Sequence, residues 1–284
     1  MRLSTAAFQP FRGPPRPQLL WNSDRFLAGF PLSLISQPLS FPYSPMRFDH
    51  LDGVLLLDKE PGMTSHDVVA IVRRCLNIKK VGHCGTLDPL ATGLLLVVLG
   101  RGTKIQDLLM AEDKEYEGTM RLGVTTDSQD SDGEIVETKA VPDLTPEQIE
   151  MAFRYFHGDF YQTPPMVSAI KKDGVPLYKL ARQGKVVERE PRFVHVFAHE
   201  VTGVRLPEID FRVVCSKGFY VRTYAYDIGE LLRCGAHLNS LRRTKSGRFS
   251  VSDAIRISEL RTIPPEDIAK RVLDLPTVSR LRGA

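Results

Sequence analysis

An α+β domain built round a largely antiparallel sheet is the fold class this sequence predicts, on three observations. Strand-like and helix-like segments are mixed, without the steady strand–helix alternation of a doubly wound parallel sheet. Two long strand patterns, residues 193–204 and 209–215, follow one another with only a short break, as antiparallel neighbours do. The chain has 284 residues, 42% hydrophobic and 25% charged, which supplies apolar material for a sizeable core.

Taken in order, residues 54–57 form a buried strand candidate that ends at Lys59-Glu60-Pro61-Gly62, a turn signal. Thr64 or Ser65 can cap the helix that follows. Asp67 sits at its acid-favouring first turn, and Val68, Val69, Val72 and Leu76 make its apolar stripe. Residues 79–93 read as a loop rich in glycine and threonine, and residues 94–99 as a central strand. A short helix (103–110) leads to a strand at 116–122 and an acidic loop at 124–134. Thr145-Pro146-Glu147-Gln148 offers a cap, a proline at the first helical position and a capping-box partner, so a helix runs to about Phe156. Asp173-Gly174, flanked by 167–171 and Val175, is a hairpin signal. Short helices are predicted over 177–183 and 238–243, with a longer one over 223–233. The segment Phe219-Tyr220-Val221 stands apart behind Lys217-Gly218.

The first 45 residues are of another kind, with eight prolines, no lysine and one acid. Three readings stand side by side: a disordered tail, an organellar transit peptide, or a segment outside the mature protein, with Met46 as the true start. None gives residues 1–45 a part in catalysis. Without them the chain carries 34 basic and 33 acidic residues. Any nucleic-acid affinity must therefore come from where the basic residues sit rather than from the total.

Several chemistries fail on spacing. The longest apolar run, 94–99, is far short of a membrane span. Cys75, Cys84, Cys215 and Cys234 form no C-x-x-C pair, which argues against zinc and against a disulfide framework, and fits a reducing, cytoplasmic compartment. Gly100-Arg101-Gly102-Thr103-Lys104 lacks the spacing of a phosphate-binding or dinucleotide fingerprint. Asp130-Ser131-Asp132-Gly133 resembles the centre of an EF-hand loop, but Ser128 and Lys139 would occupy its first and twelfth ligand positions. Cys84 reads as a small buried residue rather than a nucleophile. The expectation is no metal and no cofactor.

What remains is Gly82-His83-Cys84-Gly85-Thr86-Leu87-Asp88-Pro89-Leu90-Ala91-Thr92-Gly93. Its glycines let backbone come close to another group, and it sets one carboxylate, Asp88, just ahead of a buried strand. From spacing alone, Asp88 could equally cap a turn before Pro89.

The segment resembles the active-site loop of the TruB-type tRNA pseudouridine synthases, close to G-H-x-G-x-L-D-P-x-A-x-G. Five further segments resemble that family in its own order. They are Lys59 to Ser65 (K-P-x-G-x-[ST]-S, with Glu60 inserted), Lys114-Glu115-Tyr116 to Leu122-Gly123, and Pro164-Pro165 to Lys171. The last two are Ser216 to Arg222 and Leu241-Arg242-Arg243 to Phe249. Together they cover Asp52 to about Ser252. One departure is Val167, where the family usually has an aromatic residue.

The resemblance implies the pseudouridine synthase catalytic fold and an isomerase that breaks the uracil–ribose C–N bond, turns the base and rejoins it through carbon. The implied substrate is the T-loop uridine of tRNA, position 55; a non-catalytic RNA-binding or RNA-folding protein on the same scaffold is the alternative. Asp88 is the implied nucleophile, with attack on the sugar, attack on the base and a glycal route all left open. Arg222 is its implied charge partner. Tyr116 would stack on the flipped uracil and take a proton. Tyr220 and Leu241 would wall the pocket, and His83 would fill the stack the base has left. Lys59 would support the loop or contact phosphate. Lys171, Arg242 and Arg243 would lie on a phosphate track. The expected organisation is an extension over 1–45, a catalytic domain over 46–252 and a short tail over 253–284 with no PUA domain, in a protein that acts as a monomer. The cytoplasm is the expected location, or an organelle if residues 1–45 are a transit peptide.

Overall fold

The computed structural model describes residues 48–283 apart from Ala169, Asp173 and Val186. The extension over 1–45 lies outside the described residues. The chain runs β1 (Gly53–Lys59), α1 (Ser65–Leu76), β2 (Val81–Cys84), β3 (Thr92–Leu99), α2 (Gln106–Met110), β4 (Lys114–Leu122), β5 (Val124–Thr126), β6 (Ile135–Thr138), α3 (Pro146–Tyr155) and β7 (Gly158–Gln162). It continues with β8 (Lys171–Lys172), β9 (Val175–Pro176), α4 (Leu177–Arg182), β10 (Arg192–Arg205), β11 (Glu208–Cys215), α5 (Val221–Leu231) and β12 (Ala236–Ser246). It ends with β13 (Phe249–Ser250), β14 (Ile255–Arg256), α6 (Ile257–Leu260), α7 (Pro265–Lys270), β15 (Leu273–Asp274) and α8 (Leu275–Arg282). Among the described residues no helix is long and apolar enough to cross a membrane.

One large sheet organises these elements, in the order β14-β1-β3-β12-β4-β11-β10-β7, with β15 on β1, β2 on β3 and β13 on β12. Among the described strands of this sheet, only β1–β14 and β3–β12 pair in parallel. The α+β class with a largely antiparallel sheet therefore holds. The β3–β12 join is short: Thr92 and Gly93 pair with Arg242 and Arg243. Gly93 has φ +97°, and a Cβ there would meet the Arg243 carbonyl oxygen at 2.3 Å, so the join requires glycine.

β3 is apolar from Leu94 to Leu99 because both its faces are covered there. Leu95, Val97 and Leu99 join Leu55, Leu57 and the α1 stripe of Val68, Val72 and Leu76. Leu94, Leu96 and Val98 pack with Val54, Leu56, Leu109, Phe249 and Val278. Val278 lies in α8, and β14 and β15 flank β1, so residues 253–283 complete this layer rather than trailing as a tail. The inserted Glu60 helps, its carboxylate accepting the Ser258 amide at 3.0 Å.

Four local expectations are corrected. Residues 238–243 are strand, inside β12. Leu238 and Leu241 are both buried at a helical spacing because the β4–β12 register slips between Leu238 and Ser240. A bulge of that kind turns a spacing of two into three. Residues 81–84 leave the expected loop to pair with β3. Residues 124–126 leave the acidic loop to pair with β6. Helix α5 starts two residues earlier than expected, which draws Arg222 into its first turn.

Candidate active site

Asp88 is gripped from both sides by the first motif. Thr64 caps α1, its hydroxyl accepting the Asp67 amide while the Asp67 carboxylate accepts the Thr64 amide. This fixes Ser65 in the first turn, where its Oγ accepts the Leu87 amide at 2.9 Å and donates to the Leu87 carbonyl at 3.2 Å. On the other side, Lys59 Nζ donates to the carbonyls of Glu60 (2.9 Å), Met63 (2.8 Å) and Pro89 (3.2 Å). The Gly62 amide also donates to Pro89, at 2.9 Å. Lys59 is wholly buried, and burial pushes its ammonium down to about 8. It supports the loop and does not reach the surface.

Arg222 is the second centre. Its Nε stands 2.9 Å from Asp88 Oδ2, off-line for a hydrogen bond, and Nη2 donates to Asp88 Oδ1 at 3.3 Å. Nη2 also donates to the Val167 carbonyl at 2.7 Å, and Nη1 to the Ser128 carbonyl at 2.8 Å. Asp130 Oδ2 lies 3.6 Å from Nη1. Burial pushes the Asp130 carboxyl up, opposed by the Ser128 hydroxyl and the Arg222 charge. A buried guanidinium in the first turn of a helix works against the helix dipole, and here two carboxylates and two carbonyls surround it. Val167 contributes its backbone oxygen, so the missing aromatic side chain leaves this contact intact.

Asp88 and Arg222 open on a cavity of about 260 Å³ that is also lined by Lys114, Tyr116, Tyr220, Leu241 and Arg243. Tyr116 and Leu241 are buried wall residues. Burial pushes both phenols, Tyr116 and Tyr220, above their ordinary range. Charge and aromatic surface thus face one partly open cavity, with a half-exposed carboxylate, Asp88, at its edge.

The other expected residues take different places. His83, on β2, does not line the cavity. Its ring stands edge-on to His66, its Nδ1 has no partner, and burial pushes it down to about 4, so it is neutral at pH 7. Lys171 lies on β8, and its side chain is outside the described part of the structure. Arg242 points away from the cavity and forms a two-pronged bond to Asp58, at 2.8 and 3.0 Å. Arg243 is 1% exposed and bonds the carbonyls of Leu94 (2.7 Å) and Gly85 (3.1 Å). It is a cavity wall residue and does not belong to a surface phosphate track. Cys84 is fully buried, which pushes its thiol up to about 12 and removes it as a nucleophile.

Sequence reasoning missed Ser65, Lys114 and Asp130. Lys114 was within reach, because a strand puts residues i and i+2 on one face and Tyr116 was already a candidate. Asp130 carried no such signal, since Arg222 meets it across distant loop and helix.

Comparison with known proteins agrees with this geometry. The family model described as TruB family pseudouridylate synthase (N terminal domain) matches residues 73–221, and that described as tRNA pseudouridylate synthase B C-terminal domain matches residues 222–274. The chain is 55% identical over 223 residues to tRNA pseudouridine synthase B of Opitutus terrae, covering 78% of this chain and 92% of that one. It is 47% identical to the protein of the same name from Syntrophotalea carbinolica, covering 81% and 75%. Among solved structures, a chain in the crystal structure of a Cbf5-Nop10-Gar1 complex superposes with a TM-score of 0.64 at 29% identity, over 89% of this chain. This chain spans 66% of that one's length. With matched segments running through both halves of the cavity wall, the chain belongs to the TruB family of pseudouridylate synthases.

Proposed function

We propose that the protein isomerises the T-loop uridine of tRNA, position 55, to pseudouridine. The observation that carries this reading is the Asp88–Arg222 pair opening on a narrow cavity walled by Tyr116 and Tyr220. A stacked base cannot enter such a space, so the target nucleotide must be turned out of the RNA, and aromatic faces compensate the stacking it loses. Asp88 stands where it can attack or stabilise the reacting ribose or base. Arg222 supplies positive charge beside it, and its other donors are tied to Ser128, Val167 and Asp130, so it does not swing away. Tyr116 stacks on the base and accepts the proton that the base gives up. The relatives named tRNA pseudouridine synthase B support the substrate class.

The test is to incubate the protein with an unmodified tRNA transcript and map pseudouridine chemically. A single new pseudouridine at the T-loop uridine is expected. Tight tRNA binding without any pseudouridine would make the protein a non-catalytic RNA binder on this scaffold.

A further inference from the structure

The cavity holds three cationic side chains, and they are not alike. Arg222 has two carboxylates, Asp88 and Asp130, within ion-pair distance. Lys114 and Arg243 have none among the described residues. Lys114 Nζ donates to the carbonyls of Met110, at 2.7 Å, and of Glu112. Arg243 uses Nε and Nη2 on Leu94 and Gly85. Both side chains are buried, at 7% and 1% exposure.

Their placement follows from the sheet. Arg243 is the direct cross-strand partner of Tyr116 in the β4–β12 ladder, and Lys114 precedes Tyr116 by two on β4, hence on the same face. Gly85, with φ +83°, lies beside Arg243 Nη1, from which an added Cβ would stand 3.5 Å, and the Arg243 guanidinium also hydrogen-bonds the Tyr116 side chain. The Asp88 end of the cavity is thus charge-compensated, whereas the Lys114–Arg243 wall is an uncompensated concentration of donors beside the stacking tyrosine. Burying two such cations costs stability unless something anionic meets them.

An RNA phosphate is not that anion. The backbone continues outward on both sides of a flipped nucleotide, so its phosphates stay at the mouth while the base goes deepest. An intact uracil is neutral, but a uracil cut from its ribose is not. We propose that Lys114 and Arg243 are catalytic residues that stabilise the detached pyrimidine as an anion, an inference that rests on the function proposed above. The C1′–N1 bond breaks with its electron pair on the base, and the charge spreads to the ring carbonyl oxygens, where Lys114 Nζ and the Arg243 guanidinium donate. The wall holds the ring while it turns. C5 then bonds to C1′ with that electron pair, C5 releases its proton and N1 takes one. No co-reactant is consumed. Donors preorganised in a water-poor site stabilise such transient charge more than water does.

The experiment compares tRNA carrying uridine or 5-fluorouridine at the target. Single-turnover C–N cleavage is read as loss of the N-linked nucleoside after digestion. Fluorine withdraws electrons and makes the departing base a more stable anion. Lys114→Gln should slow cleavage of uridine about 100-fold and cleavage of 5-fluorouridine at least about tenfold less severely, with unchanged tRNA affinity. Equal slowing on both substrates would reduce Lys114 to a structural role and overturn the proposal. A second measurement needs no variant: the wild-type cleavage rates on the two substrates should differ by less than about tenfold, because the wall already carries the charge. A larger difference also overturns it. Absence of pseudouridine from wild-type protein on ordinary tRNA would instead defeat the functional reading itself, so the two failures are distinguishable.

Discussion

Ser65 Oγ holds both backbone groups of Leu87, accepting its amide at 2.9 Å and donating to its carbonyl at 3.2 Å, one residue before Asp88. The hydroxyl is buried, and its removal leaves two backbone groups without a partner. Ser65→Ala should cost about 1–3 kcal/mol in urea unfolding. Because the loop it fixes carries Asp88, the proposed nucleophile, kcat should fall while KM for tRNA changes little. A rise in KM alone would place Ser65 in binding.

Asp88→Asn should abolish pseudouridine formation and leave the protein folded. Arg222 keeps the carbonyls of Ser128 and Val167 and the Asp130 carboxylate, so the buried guanidinium is not stranded. Affinity for tRNA should stay within about tenfold of wild type, equivalent to about 1.4 kcal/mol. Turnover by a verified Asp88→Asn preparation would assign the nucleophile elsewhere.

Arg242 is already engaged by Asp58, and a phosphate would have to break that two-pronged bond to use it. Arg242→Gln should therefore change the salt dependence of tRNA binding by less than about one phosphate contact's worth of slope. A slope flattened by a full contact would put Arg242 on the RNA.

These contacts show what could be read from sequence. The capping residues Thr64 and Thr145 were legible because a cap acts within one helical turn, and the buried strand at 94–99 because continuous apolarity needs two covered faces. Asp88, Tyr116 and Arg222 were legible only through the family resemblance, since nothing local tells a cavity residue from a core one. The bulge in β12 concealed Arg243: read as a helix, Leu241 and Arg243 fall on different faces, whereas on the strand both reach the cavity wall. Asp130 stayed hidden because its partner comes from a helix ninety residues on, a separation no local pattern spans.

Lys59 makes stability pH-dependent. Burial lowers its ammonium from the ordinary 10.5 to about 8, so between these values the unfolded chain binds a proton that the folded chain has lost. The stability of wild type relative to Lys59→Met should rise from pH 8 to 10.5, by at most about 1.4 kcal/mol per pH unit. Urea titrations of both proteins across that range supply the check. A difference that is flat or falls with pH contradicts the burial of a charged ammonium.

All four cysteines are buried, and burial raises every thiol. Native protein at pH 8 should therefore take up no iodoacetamide on the time scale in which denatured protein takes up four equivalents, as read by mass spectrometry. Cys84→Ala should retain activity. Rapid native labelling of Cys84 would reopen it as a reactive group beside the catalytic loop.

The two-residue join of β3 to β12 has a mechanical consequence. Lys59, Ser65 and Asp88 belong to the β1–β3 side of that seam, whereas Tyr116, Arg222 and Arg243 belong to the β12–β4 side. Asp88 and Arg222 are thus carried on the two sides of one seam, which closes where Gly93 packs against Arg243. Because the two groups stand on opposite sides of that seam, the fit at the join sets the distance between Asp88 and Arg222. A methyl group at position 93 would stand 2.3 Å from the Arg243 carbonyl oxygen, so it would displace the seam and the cavity wall together.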